Sequence, residues 1–477
     1  MAATKATAES LLKEKYLPKI QRTLNNEALV QNLLRKGTRR VMWTGSEWKK
    51  VFHVGRNDGI AYADNSGGGL PSLPAAGAQT YLEVKGDTAR MLFRFQLDGR
   101  IFDETEKGTP DEKFASVFFE EMKGLERDVK KKFNRDAVVA GDIAGIINEK
   151  ATSTATTAAT DVTAPAEGTL TVQYSGDFAR FSTVVTATPA TWIRVNLIAM
   201  DTYATIATSP SGGAVYIKGY DEAAGTITLA VIDATGAGRT ISTDLADDAY
   251  GIAVQFADAL YDDKDGDAFG ALYNYSLQPH GLLHNICSNT LHSGITSQGS
   301  TITRDAAAAA TIRSTVMTMG KQAGAGSLRQ PLTVTRFHEV LDEVYDKLGE
   351  EPDLILVNSK FFSLYNDLVQ TVTFGGEYKI EGKKGTADPS IGRDGMRFAG
   401  IKFMRSQEVP NGMAFILTKK DWMTLEKTPF GFRNNVTNTG VLEPRPDHDG
   451  YQGVGRWMLD FFCDQPANQA ILTGFAY

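Results

Sequence analysis

Three of the six histidines of this 477-residue chain fall in one short stretch, together with one of its two cysteines. These residues are His280, His284, Cys287 and His292. Imidazole and thiolate are ligands that zinc prefers, and the spacing of His280 and His284 would put both side chains on one face of a helix. No carboxylate or second cysteine lies at ligand spacing, so ordinary helix and loop positions are the plainer interpretation. We predict no metal site here.

A second candidate for metal chemistry is the aspartate run Asp263, Asp265 and Asp267, which has the opening spacing of a calcium-binding loop. The position of the sharp turn holds Ala268 instead of glycine, and the last ligand position holds Asn274 instead of glutamate. We therefore interpret this run as a solvated acidic turn.

The sequence motifs that are typical of catalytic sites are missing or incomplete in this chain. The sequence has no phosphate-binding glycine loop, no dinucleotide-binding fingerprint and no nucleophile elbow. His338-Glu339 begins like the helix of a zinc protease, but the second histidine position holds Asp342. We predict that the chain is not an enzyme, with no catalytic residue and no cofactor.

Composition and charge narrow the class of protein further. The chain is 42% hydrophobic and 22% charged, as is usual for folded globular proteins, and its formal net charge of −7 argues against a general nucleic-acid binder. The charge is uneven, because residues 1–60 hold 12 basic and 5 acidic side chains whereas residues 220–270 hold 2 basic and 11 acidic. Two cysteines, no secretory leader and no apolar run of membrane-spanning length predict a soluble protein made in a reducing cytoplasm.

A long hairpin is predicted in the first hundred residues. Val41–Val54 and Tyr81–Leu97 have the composition of strands, and the second alternates apolar and polar residues. The connection between them, Gly55–Thr80, contains eight glycines and prolines among its 26 residues. Connections of this length are uncommon in compact domains unless they are functional or disordered, and isolated hairpins are marginal in water. We expect a projecting ribbon that needs a partner surface, with a floppy surface loop as the plainer alternative.

The composition and periodicity of the remaining chain change three times. A capping pattern at Thr109-Pro110-Asp111-Glu112 and apolar residues at helical spacing predict a long amphipathic helix from Asp111 to Ile147. An Ala/Thr-rich linker at Ala151–Gly168 is followed by a β-rich section with five short strands between Thr169 and Phe256. An α/β section comes next. Its predicted elements are a helix ended by Gly349, a buried strand Leu354–Val357, a second helix from Phe361, strands at Met396–Met404 and Gly412–Leu417, and a strand-like tail from Gly453.

This order of elements resembles that of the major capsid proteins of tailed bacteriophages, which have the Hong-Kong-97 fold. Short stretches of sequence also resemble parts of such proteins. Val54–Gly59, with the Gly-Gly-Gly-Leu-Pro that follows, is similar to their extended loop, and Lys218–Leu229 is similar to a β-turn-β segment of their inserted module. Asp267–Leu272 with Gly281–Leu283 resembles the start of their axial domain, and Pro352–Asn358 resembles a strand within that domain.

The resemblance implies an α+β fold of the Hong-Kong-97 type, and it divides the chain into six parts. These are an N-terminal arm at 1–40, an extended-loop hairpin at 41–100, the spine helix of the peripheral domain at 101–150, a β-rich peripheral or insertion region at 151–272, an axial domain at 273–424, and C-terminal strands at 425–477 that return to the peripheral and axial core. The stretch Ala151–Leu272 is longer than a peripheral sheet needs, so we expect an inserted β module.

The same resemblance implies a function. The chain would self-assemble into hexamers and pentamers of an icosahedral phage head around double-stranded DNA, in the virion, after assembly in the host bacterial cytoplasm. Its partners would be further copies of itself, scaffold, portal and decoration proteins, and packaged DNA through weak non-specific contacts, with no membrane. We expect inter-subunit contacts at Arg39, Arg40, Arg56, Lys85 and Arg94.

Two alternatives stay open on the sequence alone. The first is an encapsulin-like shell protein of a bacterial nanocompartment, which would share the fold. The second belongs to another class, a metal-dependent enzyme that uses the cluster of His280, His284 and Cys287.

Overall fold

The computed structural model describes part of the chain. The described residues are 42–45, 47–55, 80–98, 110–139, 143–147, 166–176, 178, 193–199, 214–232, 252–256, 279–286, 313–319, 331–365, 397–432, 442–444 and 449–475. Their strands are β1 (Met42–Thr44), β2 (Glu47–Gly55), β3 (Thr80–Asp87), β4 (Ala89–Asp98), β5 (Ile143–Ile147), β6 (Ala166–Tyr174), β7 (Ile193–Ala199), β8 (Ala214–Asp221), β9 (Thr226–Ile232), β10 (Ile252–Phe256), β11 (Thr315–Thr318), β12 (Leu354–Val357), β13 (Arg397–Phe398), β14 (Ile401–Arg405), β15 (Met413–Leu417), β16 (Trp422–Phe432), β17 (Leu442–Pro444), β18 (Gly450–Cys463) and β19 (Ala470–Thr473). Their helices are α1 (Pro110–Val138), α2 (Leu282–Asn285), α3 (Val334–Leu348) and α4, over residues 359–365.

The predicted hairpin is confirmed in its paired part. β2 and β3 run antiparallel from Glu47 opposite Asp87 to Gly55 opposite Thr80, and β1 adds a third strand beside β2. We call these three strands the ribbon. The rest of the predicted connection, residues 56–79, lies outside the described residues.

The second strand of the hairpin was predicted as one continuous segment, and this is wrong. It divides at Thr88, which is buried, into β3 and β4. β3 pairs with β2 in the ribbon, whereas β4 pairs along its whole length with β18. The chain therefore leaves the ribbon and enters the body of the molecule without a loop.

β4 belongs to a four-stranded antiparallel sheet, in which the long strand β18 pairs with β16, β17 and β4. One side of this sheet packs on α1, where the ring of Phe133 stacks on Trp457 at 4.8 Å between centroids. Phe93 and Phe95 lie over two glycines of β18, Gly455 and Gly453. A Cβ added at Gly455 would come within 1.9 Å of the Phe93 ring, so only glycine fits this packing.

A second sheet is six-stranded and mixed, in the order β11-β19-β15-β12-β14-β13. α3 packs against it through Phe337, Val340 and Val344, and the predicted helix stop is confirmed, because Gly349 caps α3 with φ of 71°. The strand predicted over Met396–Met404 is instead a tight hairpin of β13 and β14. Its turn residues Ala399 and Gly400 both have positive φ, which reverses the chain in two residues.

The β-rich section forms a closed barrel of six strands in the order β10-β5-β6-β9-β8-β7. Five of these strands were predicted, and they are confirmed. The barrel has a core of its own, with Leu197, Ile217, Leu229 and Val254 fully or almost fully buried. Its sixth strand, β5, was predicted as the end of the long helix.

The long helix is shorter than predicted. α1 starts at Pro110 as expected, but it ends at Val138, and Ile143–Ile147 forms β5 instead of the last helical turns. Three of the five residues of β5 are isoleucines, which favour strands, and pairing with β6 and β10 closes the barrel. The described residues thus form an α+β fold that is rich in sheet and has few helices.

Candidate functional site

The ribbon is fastened to the body through Trp48. This side chain is completely buried, and its Nε1 donates a hydrogen bond to Oδ2 of Asp460 at 2.7 Å. Its ring meets Phe462 edge-on, with centroids 4.7 Å apart, and packs with Met423 and Leu425 of β16. Lys50 adds an ion pair with Asp464 at 2.9 Å. One side of the ribbon is therefore fixed to the end of the four-stranded sheet.

Asp460 is the centre of this junction and is fully buried. Besides Trp48, it accepts the backbone N–H groups of His280, at 2.8 Å, and Phe461, at 2.9 Å. Nδ1 of His280 lies 3.0 Å from Oδ2 of the same carboxylate. A buried carboxylate is tolerated when donors fill its lone pairs, and here they come from three separate segments of the chain.

The position of His280 corrects the expectation that His280 and His284 lie on one face of a helix. α2 begins at Leu282, so His280 precedes the helix, and the spacing does not put His280 and His284 on one helical face. The ring of His280 engages Asp460 in the core. The side chain of His284, together with Cys287 and His292, lies outside what the structure describes. Within the described residues no group of three or more His, Cys, Asp or Glu side chains could hold a metal ion. Asp263, Asp265 and Asp267 also lie outside them.

Sequence reasoning missed both Trp48 and Asp460 as partners. A signal for Asp460 was present, because it is a single charge inside the apolar run Trp457-Met458-Leu459-Asp460-Phe461-Phe462 at the centre of a strand. A lone aspartate in such a run predicts a buried and fully bonded carboxylate. The identity of its donors depends on contacts as far as 412 positions away and has no local signal.

The opposite side of the ribbon presents apolar side chains to solvent. Met42, Val51 and Tyr81 lie on one side of the ribbon by register and are 70%, 46% and 57% exposed. We call these three residues the ribbon face. Trp43 pairs with Trp48 and therefore lies on the other, inner side of the ribbon, where it is 41% exposed. The register places Lys49, Glu83 and Lys85 on the same side as the ribbon face, so three exposed apolar side chains lie among charged positions, as at an interaction surface.

The predicted contact residues are distributed as follows. Arg94 is exposed in the middle of β4, opposite Val454 of β18. Lys85 is in β3, opposite Lys49. Arg39, Arg40 and Arg56 lie outside the described residues.

A second polar junction joins the barrel to the body. The Tyr174 hydroxyl donates to Oε2 of Glu408 at 2.6 Å, and Asn411 Nδ2 donates to the carbonyl of Gln173 at 2.9 Å. Gln173 returns a hydrogen bond to the carbonyl of Asn411. Burial raises the pKa of the Glu408 carboxyl, and this outweighs the Tyr174 hydrogen bond and the nearby charge of Arg135, which lower it. We call this group the barrel junction.

None of the described helices is long and apolar enough to cross a membrane. No protein-family model matches this chain, and no curated protein matches it.

Solved structures, in contrast, do match. The capsid of a native GTA particle covers 94% of this chain and 90% of its own, with 9% identity and a TM-score of 0.41. The capsid of cyanophage A-1(L) covers 94% and 92%, with 11% identity and a TM-score of 0.40. Both of these matches are capsid structures, and neither reaches a TM-score of 0.5.

The encapsulin alternative has a smaller match. The encapsulin complex of Synechococcus elongatus PCC 7942 covers 34% of this chain and 52% of its own, with 12% identity and a TM-score of 0.22. This match is partial.

Proposed function

We propose that this chain is the major capsid protein of a tailed bacteriophage, a subunit that self-assembles into the hexamers and pentamers of an icosahedral head enclosing double-stranded DNA. The observation that carries the proposal is the ribbon. Its inner side is fixed by Trp48 to a fully buried carboxylate, while its outer side leaves Met42, Val51 and Tyr81 exposed. A rigid base combined with an uncovered apolar face suits a subunit whose stable state includes its neighbours.

The proposal assigns a role to each part of the chain. Residues 1–40 would be an arm and 41–100 the extended loop. Residues 101–150 would hold the spine helix, and the barrel would be the module inserted within 151–272. The six-stranded sheet would form the axial domain of 273–424, completed by strands from 425–477. β19 supports this last assignment, because it pairs with β11 and β15 inside that sheet.

Charge supports the same function. The basic residues of 1–60 and the acidic residues of 220–270 belong to separate segments of the sequence, and opposite charges on identical chains favour head-to-tail contacts that close into rings. A net charge of −7 keeps packaged DNA from binding tightly to the wall. Arg39, Arg40, Arg56, Lys85 and Arg94 are the residues that we propose for inter-subunit contacts. Scaffold, portal and decoration proteins would be the other partners, in a virion assembled in the host cytoplasm.

Electron microscopy of the purified full chain, alone and with its scaffold protein, tests the proposal. We expect capsomers or closed shells from the wild type. Val51→Lys places a charge in the ribbon face and should lower the yield of particles by about tenfold or more, because burying an unpaired charge at a contact costs over 1.4 kcal/mol.

Thr335→Lys is the matched control, because it adds the same charge at an exposed position of α3. It should assemble like the wild type. A wild-type chain that stays a compact monomer under all these conditions would contradict the proposed function.

A further inference from the structure

The solvent side of β4 carries a compact group of arginines around an apolar side chain. Arg90, Leu92 and Arg94 are exposed at alternate positions, with Phe93 and Phe95 buried on the other side. Residues at alternate positions lie about 6.5–7 Å apart along a strand. Arg456 of β18 is also exposed and lies directly opposite Leu92. We call Arg90, Leu92, Arg94 and Arg456 the arginine face.

The arginine face has no ion-pair partner among the residues that the structure describes. Among the ion pairs of the described residues, none includes Arg90, Arg94 or Arg456. Leu92, at the centre of the group, is 59% exposed. Arginine is enriched at protein interfaces, and an apolar residue surrounded by polar ones is the usual anatomy of such an interface.

A surface of opposite character lies on the six-stranded sheet. A cavity of about 270 Å³ opens between α3 and the turn that joins β13 to β14. Leu341, Pro352 and Ile401 supply apolar lining, and Ile401 is almost fully buried. The carboxylates of Asp342 and Glu351 are exposed at the cavity, beside Tyr345, which is 51% exposed. We call this cavity the acidic pocket.

The two carboxylates of the acidic pocket also have no ion-pair partner among the described residues. In the part of the chain that the structure describes, no ion pair involves Asp342 or Glu351. The region continues with further carboxylates, because residues 339–353 include seven acidic side chains and one basic. The pocket therefore combines an apolar interior with a negative rim, the complement of an apolar residue flanked by arginines.

We propose that the arginine face of one copy docks on the acidic pocket of a neighbouring copy. Leu92 would enter the cavity, the arginines would pair with Asp342 and Glu351, and a guanidinium would lie on the ring of Tyr345. This inference rests on the proposed shell function and names one of its contacts. The two surfaces differ, so the contact is head-to-tail, the kind that generates rings when its rotation closes.

A second copy explains the two surfaces better than nucleic acid does. Phosphate contacts need only positive charge, and they leave the exposed Leu92 without a function. The apolar interior of the acidic pocket likewise needs an apolar group from a partner. Both features are satisfied together when the partner is the same chain.

Reciprocal charge reversal tests the pairing. Arg94→Glu and Asp342→Arg should each raise the concentration needed for assembly by about tenfold or more, because each puts like charges face to face. The double variant should restore most of the assembly that the single variants lose. Arg405→Glu, an exposed reversal on β14, is the matched control and should assemble normally. Circular dichroism and thermal unfolding of each unassembled variant check that it is folded.

The outcomes separate the inference from the proposed function. Single reversals that leave assembly unchanged, or a double variant that is no better than its parents, would overturn the pairing while the wild type still forms shells. A wild type that forms no shells would instead contradict the proposed function. If Arg94→Glu weakens binding to duplex DNA and leaves assembly intact, the arginine face binds nucleic acid and the inference is wrong.

A covalent test gives an independent readout. Chains carrying Leu92→Cys and chains carrying Tyr345→Cys should form a disulfide-linked dimer on oxidation only when the two are mixed. Both chains also carry Cys287→Ser, so that Cys463, which is buried, is the one native thiol left. Equal cross-linking in the unmixed samples would overturn the inference.

Discussion

The barrel and the four-stranded sheet are built on opposite principles. Every strand pair of the barrel joins segments between residues 143 and 256, and β8 turns directly into β9. That turn is defined locally, because Asp221 accepts the backbone N–H groups of Ala223 and Ala224. The four-stranded sheet instead joins β4 to β18, and Trp48 reaches Asp460 across 412 positions. The barrel is therefore built within one segment of the chain, whereas the sheet joins segments as far apart as β4 and β18.

This difference separates the effects of mutations. Damage to the separate core of the barrel should act first on the barrel, whereas its residues Ile143, Ile146 and Tyr174 pack into the core of the body. Damage at the junction of the ribbon and the sheet should weaken the body and any assembly that depends on the ribbon. Three tests measure this contrast, in decreasing order of expected effect.

Asp460→Ala should have the largest effect. It removes the acceptor of Trp48, His280 and Phe461 in a fully buried place, and removal of one partner from such a network costs about 3–5 kcal/mol. Chemical denaturation, followed by tryptophan fluorescence, measures the loss in free energy of unfolding. Asp464→Ala, which removes the half-buried partner of Lys50, is the control and should cost clearly less. Equal losses of unfolding free energy in the two variants would show that the hydrogen bonds to Asp460 stabilise the fold no more than the ion pair of Asp464 does.

Two glycine substitutions compare the regions directly. At Gly455 a Cβ would come within 1.9 Å of Phe93, and at Gly145 within 2.5 Å of Phe178 in the barrel. Overpacking of this kind costs about 1–3 kcal/mol. Gly455→Ala should therefore reduce both body stability and particle yield, whereas Gly145→Ala should reduce protection of barrel amides in hydrogen exchange and leave the amides of β18 protected. Loss of protection in β18 from Gly145→Ala would contradict the separation.

Glu408→Gln should give the smallest effect, and its sign depends on pH. Burial raises the pKa of Glu408, so the folded chain holds this proton more tightly than the unfolded chain does. The stability that this proton contributes is fully present below the ordinary carboxyl pKa near 4.5 and is lost as the pH rises through the raised value. Glutamine cannot ionise, so the stability of the variant relative to the wild type should increase with pH across this window.

Denaturation of both proteins at a series of pH values checks this expectation. Gln407→Glu adds an ionisable carboxyl at an exposed neighbouring position and should show no such trend. A difference between Glu408→Gln and the wild type that stays constant with pH would show that Glu408 does not titrate in this window.

The same contrast explains how much could be predicted from sequence. The five barrel strands and α3 were found because alternation, helical spacing and Gly349 act within a few residues of one another. The end of α1 was missed because the Ile143–Ile147 segment continues an apolar pattern, and its strand form depends on pairing with β6 and β10. The division of the hairpin strand at Thr88 was missed for a similar reason, since β4 follows β18 and not the ribbon.

The candidate site divides in the same way. Alternation along β4 placed Arg94 on the surface, where it is exposed as a contact residue must be. The acidic pocket could not be found from sequence, because its lining comes from α3, the loop after it and the turn before β14. The histidine cluster was misleading for the same reason, since the partner of His280 lies in β18.

The pairing of β4 with β18 also sets a time at which the subunit can be completed. β18 ends at Cys463, so the junction of Trp48 and Asp460 cannot form until residues as far as 463 have left the ribosome. At ~5–20 residues per second, synthesis takes on the order of half a minute to a minute and a half. The barrel can fold within that interval, whereas the ribbon has no anchor. A growing chain therefore cannot present a correctly placed ribbon to a neighbour, and only finished subunits are competent to join one another.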